Sequence, residues 1–168
     1  MLWNLLRTAL RPRAQSDPFV NRSLALRKEG RLGDAEQVLR DAAKRFPRDA
    51  IIATNLGVVL LEQDRGDEGV ACLTRAIACD PECAPAHYNF ANILRATGER
   101  ERAVEHYQAA VDADAEFAPA REELMNCLME VCDWGRAEVH AHALRKLIAQ
   151  KPAADWMRGV SPLTGLYL

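Results

Sequence analysis

Apolar and small residues along the chain recur in register every 34 positions. Leu26, Leu60, Leu94 and Leu128 are each one such step apart, and so are Ala35, Gly69, Ala103 and Ala137. A third series runs Ala42, Ala76, Ala110 and Leu144, and in a fourth Pro47 and Pro81 are followed by Ala115 and Ala149. A fixed period of this length marks a chain built from one supersecondary unit used repeatedly. Four units result, beginning near Ser16, Ala50, Ala84 and Ala118 and spanning residues 16–49, 50–83, 84–117 and 118–149.

Each unit reads as two amphipathic helices joined by a tight turn. The turn is marked by Gly30 in the first unit, Asp64 with Gly66 in the second, Gly98 in the third and Asp133 in the fourth. Pro47 and Pro81 close their units because a proline cannot continue the preceding helix. Gly57 and Ala91 on first helices, with Ala35, Gly69 and Ala103 on second helices, let helix axes approach closely. Leu26, Leu60, Leu94, Leu39, Leu73 and Tyr107 fill the space between layers. One pair cannot bury its apolar face alone, so stability must come from stacked neighbours. The expected fold class is all-α, a solenoid of about four helix-turn-helix units.

Composition agrees with this and narrows the function classes. Of 168 residues, 49% are apolar, 27% charged and only 6% aromatic. That balance favours helices over strands and excludes a disordered chain. No run approaches the roughly 20 apolar residues needed to cross a bilayer. Five cysteines, an odd number with no secretory signal before them, predict reduced thiols and a cytoplasmic setting. Residues 1–49 carry eleven Lys/Arg against six Asp/Glu, and the remainder eleven against eighteen. The basic residues alternate with acids and lack interleaved aromatics, so no nucleic-acid partner is expected.

These residues resemble the tetratricopeptide repeat family. The third unit, Ala84 to Phe117, has His87, Phe90-Ala91, Leu94, Gly98, Ala103, Tyr107 and Ala110 in the family's places. The second matches through Asn55-Leu56-Gly57, Leu60, Leu73, Ala76 and Asp80-Pro81, with Gly69 where alanine is usual. The first and fourth are looser, with Arg22, Met125 and Leu144 in place of the usual residues. The resemblance implies a superhelix whose first helices line a concave face that binds a protein or extended peptide. It also implies that Tyr88, Asn92 and Arg95 of the third unit, and Glu122, Asn126, Met129 and Glu130 of the fourth, point into that groove.

Asn92 and Asn126 lie one repeat apart, so their carboxamides could stack and grip a peptide backbone, or could simply face water. Leu24 and Val58 occupy the same place in the first two units and keep any such ladder short. They also argue against a clamp for a partner's C-terminal acid, although Arg27 and Lys28 are at hand. Asn21, Asn55 and Asn89 form a second periodic set, for which the resemblance implies a structural role.

The end of the chain carries a second resemblance. Cys127 to Trp134, which includes Cys132-Asp133-Trp134, and then Val160-Ser161-Pro162 resemble the junction before the catalytic region in bacterial glycosyltransferases of the O-GlcNAc transferase and SPINDLY family. Residues 150–168 are rich in apolar side chains, with Trp156, Met157 and a final uncharged run, whereas solenoids normally finish with a polar helix. The segment either folds back on the last repeat or begins a further, catalytic domain, and the second is the expectation. Residues 1–15 hold Arg7, Arg11 and Arg13 with Trp3, Leu6 and Leu10 on one face; an Arg-rich start without acids resembles an organelle-targeting peptide, but an amphipathic capping helix is the expectation, with weak membrane-surface contact the lesser alternative.

No catalytic constellation is evident. The pairs Cys79/Cys83 and Cys127/Cys132, and the alternating His140 and His142, lack zinc-ligand spacing, so no metal is expected. A Cys132–histidine nucleophile pair would lack an oxyanion donor and an orienting third group. No glycine-rich turn follows a strand, so neither a nucleotide cofactor nor any other is expected in this chain. The expected function is protein or peptide binding by the substrate-selecting region of an O-GlcNAc transferase-like enzyme, the alternative being a free-standing adaptor with no enzyme attached.

Overall fold

In a computed structural model the described residues, 17–150, form only α-helices, joined by short turns. In chain order they are α1 (Asp17–Lys28), α2 (Leu32–Arg45), α3 (Ala50–Glu62), α4 (Gly66–Cys79), α5 (Ala84–Ala96), α6 (Arg100–Ala113), α7 (Ala118–Glu130) and α8 (Trp134–Gln150). The class is the all-α helical repeat that the 34-residue period predicts. The capping helix expected over 1–15 lies outside the described residues, and so does the segment expected over 150–168 apart from Gln150. No helix among the described residues is long and apolar enough to cross a membrane.

The turn inside each pair has one backbone solution, repeated four times. Gly30, Asp64, Gly98 and Cys132 all have positive φ, at 75°, 60°, 86° and 61°. The following N–H then returns to the helix: Arg31 to the Leu26 carbonyl, Arg65 to Leu60, Glu99 to Leu94 and Asp133 to Leu128. This left-handed close of a helix is where glycine is favoured for want of a Cβ. In the fourth pair the sequence pointed to Asp133 as the turn residue, but the left-handed position is Cys132. Asp133 instead starts α8, its Oδ1 accepting the Arg136 N–H at 3.1 Å.

The connections between pairs repeat as well. Phe46, Asp80 and Asp114 each close a second helix by donating to a carbonyl four residues back. Asp80 and Asp114 then accept from the N–H groups of Glu82 and Glu116 at 3.2 and 3.0 Å. Asp49 starts α3, its Oδ1 accepting from the N–H groups of Ile51 and Ile52, a cap of the kind worth about 1 kcal/mol.

The chain divides into two compact units between Ala86 and His87. In the first unit, Leu26, Ala35, Leu39, Ala42, Ile52, Leu56, Val59 and Leu60 form one buried cluster, with Phe19 and Phe46 against it. Each fully buried leucine contributes about 1.5–3 kcal/mol. Gly57 on α3 and Gly69 on α4 are both buried where these helices cross. In the second unit Ala91, Ala103, Tyr107, Ala110, Ala120, Leu124, Cys127 and Leu128 are buried. The Tyr88 ring sits 6.0 Å from Tyr107 and 5.2 Å from Phe117.

Candidate functional site

The first helices of the second unit, α5 and α7, carry the residues that the resemblance assigns to a binding face. Each helix is fixed by its buried side. Ala91 and Leu94 anchor α5, while Ala120, Leu124, Cys127 and Leu128 anchor α7. Tyr88, Asn92, Arg95, Glu122 and Asn126 are half-buried, and Met129 and Glu130 are exposed.

These side chains are tied together by contacts of two kinds. The Tyr107 hydroxyl donates to the Asn92 carboxamide oxygen at 2.6 Å. Asn92 is therefore held from within its own helix pair, and its remaining capacity is chiefly as a donor. Burial pushes the Tyr88 and Tyr107 phenols above their ordinary range, so both hydroxyls stay protonated at neutral pH.

The second kind of contact is ionic. Arg95 pairs with both Glu123 and Glu130 on α7, and the Arg100 Nε donates to the other oxygen of Glu130 at 3.1 Å. The Arg95 hydrogen bond holds the Glu130 carboxyl below the usual range. A partner carboxylate could displace these contacts only at the cost of breaking them, so Arg95 is a brace between first helices before it is a ligand. The first unit contains the same brace: Arg27 pairs with Glu62, its Nε donating at 2.9 Å. In both units arginine and glutamate are 35 residues apart.

Glu122 stands outside this scheme. Burial, and then the neighbouring Glu123, push its carboxyl above the ordinary range. Arg121, next in sequence, is directed elsewhere: one guanidinium nitrogen donates to the Ala115 carbonyl at 2.9 Å, and another lies 3.3 Å from the His140 ring nitrogen.

Three groupings weighed in the sequence have other surroundings. Asn55 donates to the Ile51 carbonyl at 2.8 Å, a structural role. His140 is buried and contacts Arg121, while Cys132 is exposed in its turn. Among the described residues no three metal-ligating side chains converge. A pair the sequence did not single out is His87 with His106, whose Nδ1 atoms are 3.0 Å apart, with Phe90 packed on the His106 ring.

Comparison with known proteins gives one family and several structural likenesses. The sequence profile described as "Tetratricopeptide repeat" matches residues 20–81 and 56–119. No curated protein matches the chain. Among solved structures, MamA from Desulfovibrio magneticus RS-1 is 22% identical with a TM-score of 0.64, over 82% of this chain and 78% of that one. PilF of Pseudomonas aeruginosa is 19% identical with a TM-score of 0.71, over 85% and 66%. An O-GlcNAc transferase of Thermobaculum terrenum is 24% identical with a TM-score of 0.61, over 70% of this chain but 23% of that one. At these identities the likenesses show the fold.

Proposed function

The chain belongs to the tetratricopeptide repeat family, whose repeats serve as protein-interaction modules, and from that premise we propose that it binds an extended partner segment on the α5 and α7 face of its second unit. The observation that carries this reading is the row Tyr88, Asn92, Glu122, Asn126 and Met129. Amide, phenol, carboxyl and thioether groups stand there on helices whose other side is packed against fully buried residues. Asn92 and Asn126 suit the amides of a peptide backbone, and Tyr88 and Met129 suit its side chains. The partner is a protein and not a nucleic acid; no cofactor takes part, and the cytoplasm is the proposed setting.

The finer reading is that this module selects substrates for a protein glycosyltransferase of the O-GlcNAc transferase and SPINDLY kind, whose catalytic residues would lie in a region beyond the repeats. The Cys132-Asp133-Trp134 and Val160-Ser161-Pro162 motifs support it, as does the likeness to the Thermobaculum transferase. A free-standing adaptor is the second reading. It is favoured by alignments that span 78% of MamA and 66% of PilF but 23% of the transferase. The mass of the native protein in its source cells separates them: well above that of 168 residues for the transferase, equal to it for the adaptor.

The binding reading is tested by selecting random peptides on the full chain and measuring their affinity for the parent and for Asn126→Ala with Met129→Ala. These residues are not fully buried, so the fold should survive, as a melting curve would verify. Weaker binding by the double variant is expected; unchanged affinity would remove the α5 and α7 face from the account.

A further inference from the structure

The face on α5 and α7 carries three carboxylates, Glu122, Glu123 and Glu130, and the guanidinium of Arg95, which Arg100 joins from the start of α6. Arg95 is engaged by Glu123 and Glu130, and Arg100 by Glu130. Glu122 forms no ion pair with any described residue. Its sequence neighbour Arg121 is drawn toward Ala115 and His140. A half-buried carboxylate with no cation is costly to the unbound protein, because burial removes water that no partner charge replaces.

We infer that this face takes a partner segment bearing a lysine or arginine, with the Glu122 carboxylate as its counter-ion. The inference rests on the peptide-binding reading above and adds the chemistry of the occupant. Glu122, Asn126 and Met129 fall at i, i+4 and i+7 on α7, one stripe of the helix surface. The stem of a long basic side chain can lie against Met129 and the Tyr88 ring while its charge reaches Glu122. Asn126, one turn from Glu122, can then hydrogen-bond the backbone of the same segment. An acidic segment would meet three carboxylates whose only cations are already engaged. A purely apolar segment would bury Glu122 further without neutralising it.

The test uses random peptides displayed against the full chain. Bound peptides are expected to be enriched in Lys and Arg, and changing that residue to Gln should weaken binding by about tenfold. Glu122→Gln should weaken the parent peptide by a similar factor and leave its Gln version unaffected, whereas Glu138→Gln on α8 should change neither. Glu122→Lys should reverse the preference toward a peptide whose basic residue is replaced by Glu. If selected peptides depend on Asn126 and Met129 but neither contain basic residues nor respond to Glu122→Gln, the inference fails while the binding reading stands. If no peptide is enriched, or those enriched respond to none of these substitutions, both fail.

Discussion

Gly57 and Gly69 face each other across the α3–α4 crossing so closely that a Cβ on either would stand 3.0 Å from the carbonyl oxygen of the other. A Cβ on Gly69 would also lie 2.7 Å from Leu61 Cγ. Alanine ordinarily gains about 1 kcal/mol over glycine inside a helix. Here the backbone contact outweighs that gain, since overpacking a close crossing costs about 1–3 kcal/mol. Gly57→Ala and Gly69→Ala should both lower the urea midpoint, although each raises helix propensity.

The same crossing chemistry governs Ala103, which is fully buried on α6. Ala103→Leu should be far more damaging than its apolar character suggests, by about 1–3 kcal/mol or more. A variant as stable as the parent in a denaturant titration would contradict the helix register of the second unit.

Cys132 occupies a left-handed position that Gly30 and Gly98 fill in other pairs. A non-glycine residue there is held against its preferred conformation at a cost of about 1 kcal/mol. Cys132→Gly should therefore raise the melting temperature, while Gly98→Ala should lower it. Differential scanning calorimetry of the two variants reads both signs.

Mild acid should weaken the fold through His106 and His140. Burial, together with His87 and Arg102, lowers the His106 pKa, and burial with Arg121 and Arg136 lowers that of His140. Near the ordinary histidine value of about 6.5 the unfolded chain thus binds more protons than the folded one. The stability these residues contribute is present above that value and is lost as pH falls toward their lowered folded values. Urea midpoints at pH 7.5 and 5.5 should differ accordingly, and less so in His106→Gln.

Glu122 has the opposite sign. Its folded carboxyl is raised, so its charge becomes a burden as pH rises from the unfolded value through the folded one. Glu122→Gln should stabilise the unbound protein at pH 7, on the order of 0.5 kcal/mol given its partial exposure to water.

The period alone made much of this fold legible, because close packing of repeated helix pairs forces small and large residues into fixed places. Gly57, Gly69 and Ala103 were readable in that way. Cys132 was not, since cysteine carries no turn signal and the aspartate beside it does. The braces from Arg95 to Glu130 and from Arg27 to Glu62 were also missed. Their 35-residue spacing is one step off the repeat, and it emerges only when two units are compared. The bond from Tyr107 to Asn92 joins a residue assigned to the core with one assigned to the binding face. Periodicity separates those two faces and gives no sign that a hydroxyl reaches from one to the other.

The central claim, a partner segment on the α5 and α7 face, is tested most directly by backbone amide NMR of the full chain titrated with a selected peptide. Shifts concentrated at Tyr88, Asn92, Glu122, Asn126 and Met129, and small at the exposed α8 residues Trp134 and Val139, are the predicted result. Shifts confined to α8, or to second helices such as α6, would contradict it.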